Sequence, residues 1–163
     1  MVETETLTPL GREVFTQLYE ELVTGDEQVT KGEQRIMRWF KSDPTCQRLA
    51  QVEGIGPLTA TAFVAAIANP VVFKKGRQVS AWLGWVPRQA STGGKRGLLG
   101  ISKRGDCYLR SLLLHGARAV MRYAKTKDEE RSQWGRQGRH RRGVNPATGA
   151  WANKNARRLG ARM

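Results

Sequence analysis

The chain has 163 residues, enough for one domain's core and too few for a second independent one. Its 39% hydrophobic content contains no run near the ~20 apolar residues that span a bilayer, which excludes a helical membrane protein. A formal net charge of +14 makes nucleic acid the leading class of partner, and the charge is uneven: residues 1–60 hold ten Asp/Glu and six Lys/Arg, residues 61–163 four and twenty-two.

The first residues, Met1 to Glu5, are acidic and polar, with no basic-then-apolar leader. Cys46 and Cys107 lie far apart and form no CxxC pair, so a reducing, cytoplasmic setting is expected, without a disulfide framework or metal knuckle. From Thr8 to about Lys41, Leu10, Val14, Leu18 and Leu22, then Val29, Ile36, Trp39 and Phe40, recur mostly at helical spacing among Glu and Gln. The pattern predicts one long coiled-coil-like helix, or two divided near Gly25 or Gly32, with a narrow apolar stripe suited to a partner helix. Asp43-Pro44 ends it, because proline lacks an amide proton and disfavours a helical predecessor.

Residues 45–52 and Pro57–Ala68 predict two short helices, the second closed by Asn69-Pro70. Between them Gly54-Ile55-Gly56-Pro57 has the alternating glycine and apolar pattern of a helix-hairpin-helix turn. Glycine permits a sharp turn with positive φ, and proline suits a first helical position. Outward amides at the positive end of a helix dipole would then form an anion site, so Gly54, Ile55 and Gly56 are candidate phosphate contacts. The alternative is that the glycines only let two helices cross tightly, and Glu53 would repel a phosphate.

Gly76–Trp85 predicts a further short helix with Val79, Trp82 and Leu83 inward. Val86–Asp106, rich in glycine and basic residues, is expected to be a loop. Asp106 is placed to cap a helix running to about Ala124, with Leu109, Leu112, Leu113, Gly116, Ala117 and Val120 on one face and Arg118 and Arg122 on the other. After the acidic cluster at 128–130, residues 131–163 carry nine Lys/Arg and no acid. Interrupted by Gly135, Gly138, Gly143, Pro146 and Gly149, they are expected to be a loose tail with a short helix near Trp151–Leu159. The expected fold is all-α: a helical segment 1–44, a compact helical domain 45–127 containing the helix-hairpin-helix and a basic Gly-rich loop, and a basic tail 128–163.

Candidate chemistry is sparse. His115 and His140 have no neighbouring ligand set, Asp106 reads as a cap, and no carboxylate spacing suggests a two-metal nuclease; Asp106 and Asp128 remain weak ligand candidates. Ser91 stands before Thr92-Gly93-Gly94-Lys95 amid Arg88, Arg96, Lys103 and Arg104. There a hydroxyl is either a hydrogen-bond donor to phosphate or a nucleophile whose pentavalent transition state the cations would stabilise.

Taken together, "VEGIGPLTATAFVAAI", "GRQVSAWLGWVPRQASTGGK", "GISKRGDCYLRSLLLHGARAV" and "ANKNAR" resemble the C-terminal domain of transposases of the insertion sequence 110 family, nearest its insertion sequence 1111 branch, from about Leu49 to Ala124. The resemblance implies a serine nucleophile matching Ser91, and nucleic-acid contacts at Arg88, Thr92, Gly93, Gly94, Lys95, Arg96, Lys103 and Arg104. It implies DNA and a bridge RNA as partners, homo-oligomers, and a separate nuclease domain whose acidic residues bind Mg²⁺. No cofactor is expected on this chain itself. Because that nuclease domain is not in this sequence, the expectation is a truncated or degenerate transposase, or half of a split gene, inactive alone. Two other readings stay open: a non-catalytic helix-hairpin-helix DNA-binding module, and an RNA-binding structural protein.

Overall fold

A computed structural model of the chain describes residues 7–92, 95–124 and 130–163. They fall into two units, one ending at Arg38 and one running from Trp39 to Met163. The first consists of helix α1, Pro9–Ser42, up to Arg38. It is a single helix: Gly25 and Gly32 do not divide it. No α1 residue is buried, and Leu10, Val14, Leu18 and Leu22 lie exposed at intervals of four. Among the described residues no helix is long and apolar enough to cross a membrane.

In the second unit α2 spans Pro44–Ala50 and α3 Pro57–Ala66. Asp43 caps α2, its carboxylate accepting from the Thr45 amide at 2.7 Å and the Cys46 amide at 3.4 Å. A 3-10 turn, Pro70–Val72, follows Asn69, whose side chain accepts from the Val71 amide. Helix α4 covers Gly76–Trp82 and α5 Cys107–Tyr123, the latter capped by Asp106 through the Leu109 amide at 3.0 Å. The expected short helices are therefore present, each one to three residues shorter than its expected span.

Two segments differ from the sequence expectation. Where a loop was expected, β1 (Pro87–Thr92) and β2 (Lys95–Ile101) form an antiparallel hairpin. A register shift falls between Pro87 and Gln89, and Thr92 pairs with Lys95. Where a loose tail was expected, α6 (Glu130–Arg142) and α7 (Val144–Arg162) belong to the same unit as the core.

Helix α7 supplies Ala147, Thr148, Trp151, Ala152, Asn155, Ala156 and Leu159 to the interior, a stripe of i, i+4 spacing that α4, α5 and α6 pack against. Pro146 sits in its first turn, where a missing amide proton costs nothing. Gly135 of α6 lets the Trp151 ring approach: a Cβ there would lie 2.8 Å from Trp151 Cζ3 and 2.9 Å from Met121 Sδ. Glycine thus works inside these helices as a contact surface rather than as a stop.

Candidate nucleic-acid interface

The hairpin's base is fastened where α4 ends and α5 begins. Gly84 and Gly105 both have positive φ, +74° and +110°, and a Cβ on either would collide with the opposing backbone, Arg104 or Trp82. The Lys103 amide donates to the Gly84 carbonyl at 3.1 Å, and the Ser102 amide to the Val86 carbonyl at 2.7 Å. Arg110 of α5 donates to the Leu83 carbonyl at 3.0 Å and the Gly105 carbonyl at 3.3 Å, closing the base from below. Lys103 itself has φ +56°, an uncommon conformation for a residue with a Cβ.

This footing gathers cations. Lys103, Arg110 and Arg118 line one cavity of about 260 Å³ with Trp85, Ile101, Leu114 and the Asn145–Gly149 turn of α7. No Asp or Glu lines it. Sequence reasoning missed Arg110, although the four-residue spacing Arg110, Leu114, Arg118, Arg122 places it on the same stripe as the two arginines expected to face outward. Arg122 is exposed one turn beyond Arg118 and does not line the cavity. Arg88 is exposed at the register shift in β1, and Arg104 is exposed beside Gly105.

Ser91 lies on β1 with its backbone paired to Arg96, one pair from Thr92 and Lys95. Gly93 and Gly94 lie outside the described residues, as do Asp128 and Glu129. The hairpin therefore brings Ser91, Thr92, Lys95 and Arg96 together in adjacent rungs of a two-stranded arm.

The turn between α2 and α3 is a different locality. Gly54 has φ +82° and faces Gly116 of α5; a Cβ on Gly54 would lie 2.7 Å from the Gly116 carbonyl oxygen. Ile55 is 5% exposed and its amide donates to the Val52 carbonyl at 3.0 Å. Both residues thus take part in the tight crossing that the turn's glycines were expected to allow. Gly56 is exposed, meets nothing within 4 Å, and begins α3 without a side-chain cap. Glu53 is held away from a free role: its carboxylate pairs with Arg131 at 3.0 Å, and its carbonyl accepts from buried Asn155 at 2.8 Å.

Among the described residues no three His, Cys, Asp or Glu side chains come together.

The profile described as the transposase IS116/IS110/IS902 family matches residues 46–133. A Pseudomonas aeruginosa protein named "Probable family 20 transposase" is 48% identical over 153 residues, covering 94% of this chain and 45% of its own length. The transposase for insertion sequence element IS1111A of Coxiella burnetii is 45% identical over 92% of this chain and 41% of its own. The transposase for IS1328 of Yersinia enterocolitica is 36% identical over 95% of this chain and 46% of its own. The chain spans less than half the length of each of these relatives.

Proposed function

The chain belongs to the IS116/IS110/IS902 transposase family, and from that premise we propose that it grips DNA and supplies Ser91 as the nucleophile for strand cleavage in transposition. One observation carries the reading: the arm that bears Ser91 is footed on a backbone-to-backbone crossing beside a cavity holding Lys103, Arg110 and Arg118 and no carboxylate. A nucleophile on a two-stranded arm gains its orientation from such a fixed base.

In that role Ser91 Oγ bonds to a DNA phosphorus while the bond to one deoxyribose oxygen breaks. The serine proton passes to a base and the departing oxygen takes one up. One phosphoester replaces another, and neighbouring cations stabilise the added charge of the transition state. The Mg²⁺-binding acidic set comes from a nuclease domain outside the described residues; DNA, a bridge RNA and further copies of the transposase complete the assembly. Incubation with element-end DNA, a nuclease-bearing transposase, Mg²⁺ and bridge RNA should trap a serine-linked protein–DNA adduct. Equal adduct from Ser91→Ala would sink the assignment.

A second reading, a non-catalytic helix-hairpin-helix module, is favoured by the exposed, uncapped start of α3 at Gly56. A carboxylate introduced there would oppose a phosphate. On this reading Gly56→Asp weakens duplex binding several-fold while no adduct forms under any condition.

A further inference from the structure

We propose that the cleft between the start of α4 and the later turns of α7 is a second binding site for the backbone of duplex DNA, separate from the hairpin. Lys75, Arg77, Lys154, Arg157 and Arg158 line a cavity of about 420 Å³ with Gly76 and Ala161, and no carboxylate is among them. None of these cations belongs to the basic Gly-rich segment Val86–Asp106 that contains Ser91.

The packing forces these charges together. A Cβ at Gly76 would collide with the carbonyl oxygen of Arg157, and one at Gly160 would lie 2.6 Å from Val79 Cγ2. The two helices therefore touch through backbone, and Lys75 and Arg77 flank the point where Arg157 and Arg158 cross. One turn further along α4, Ser80 Oγ donates to Asn153 Oδ1 at 2.6 Å and pins the register. The ion pairs Lys31–Glu27 and Arg131–Glu53 lie elsewhere. Lys154 Nζ rests 4.4 Å from the Trp134 ring centroid, and Arg158 Nη1 is buried without a partner. Like charges held this close repel one another, and a polyanion relieves the repulsion.

Phosphate oxygens fit this lining better than base edges do. Guanidinium and ammonium groups line it with no aromatic side chain for stacking, the pattern of a positioning contact rather than of sequence readout. Helix α4 has seven residues. At 1.5 Å per residue it sets the cleft ~10 Å from the hairpin base, about three phosphate steps along one strand. One duplex can thus engage both ends of α4. The inference rests on the preceding reading only in taking DNA as the ligand.

Fluorescence anisotropy of the 163-residue chain on a duplex, across a salt series, tests it. Lys75, Arg77 and Arg157 are exposed, so the triple change Lys75→Gln, Arg77→Gln, Arg157→Gln removes charge without opening the core. The slope of log K against log salt should fall by about 3, near 0.9 for each phosphate no longer neutralised, with similar weakening on unrelated sequences. The charge-retaining triple Lys75→Arg, Arg77→Lys, Arg157→Lys should keep the slope. An unchanged slope in the glutamine variant overturns this inference and leaves the hairpin reading standing, and so does an equal weakening in both triples. Absence of salt-dependent DNA binding by the unmodified chain overturns both readings. A weakening confined to an RNA hairpin overturns the assignment to duplex DNA.

Discussion

Asp43 shows how much one side chain settles. Its hydrogen bond from the Thr45 amide holds the carboxyl below its ordinary value of 3.8. The folded protein therefore binds that proton less readily than the unfolded chain, so the stabilisation is complete above 3.8 and fades as pH falls through the lowered folded value. Asp43→Ala should cost about 1 kcal/mol at neutral pH, measured by urea unfolding, with the difference from wild type shrinking in acid. Beside it, burial and then the Asp43 charge push the Cys46 thiol up to about 11. Cys46 should resist alkylation at pH 8 until the protein unfolds, whereas exposed Cys107 should react in the native state; mass spectrometry of labelled peptides separates the two. Gly54→Ala combines a left-handed backbone with a clash at the Gly116 carbonyl, so it should destabilise by about 2–4 kcal/mol. The Asp106 cap and the positive-φ glycine were legible in sequence because each is a local requirement of a single turn; Asp43 marks there only the stop before Pro44, and its capping of α2 was not legible. Nor was the burial of Ile55, because it comes from joining the assembled core and not from the turn itself.

At the scale of elements, the short helices were legible, and of the basic tail's two helices only the Trp151–Leu159 stretch of α7 was. Gly135, Gly149 and Gly160 lower helix propensity, and nine Lys/Arg hide the apolar stripe between Ala147 and Leu159. Tertiary packing outweighs that propensity: Trp151, 1% exposed, stacks obliquely on Trp134 with ring centroids 5.8 Å apart and lies under the Arg131 guanidinium. Trp151→Ala should cost about 3–5 kcal/mol by thermal or denaturant unfolding, far more than a residue of a loose tail would. The hairpin was missed for another reason. Its strands lack the β-branched alternation of a half-buried sheet, and only the two-residue spacing from Thr92 to Lys95 marks the turn. Of the candidate interface, the cations of the glycine-rich motif stood out in sequence. Arg110 and the α4–α7 cleft did not, since long-range crossings assemble them.

For the molecule as a whole, α1 presents an amphipathic stripe with no buried residue. Most helical stability in proteins comes from packing such a face, so sedimentation equilibrium should show concentration-dependent self-association through α1. Leu18→Asp with Leu22→Asp should abolish it while leaving the unfolding transition of residues 39–163 in place. The family and the helical architecture could be read from the linear chain because local motifs carry them.

The hydrogen bond from Asn155 to the Glu53 carbonyl joins positions 102 residues apart. It also sets a timetable. At about 5–20 residues per second, a ribosome that has just made the α2–α3 turn needs roughly 5–20 s more before the side chain that clasps it exists. During that interval the nascent chain carries the apolar faces of α4 and then α5 without their α7 cover. The core of this unit therefore closes only when its last helix emerges.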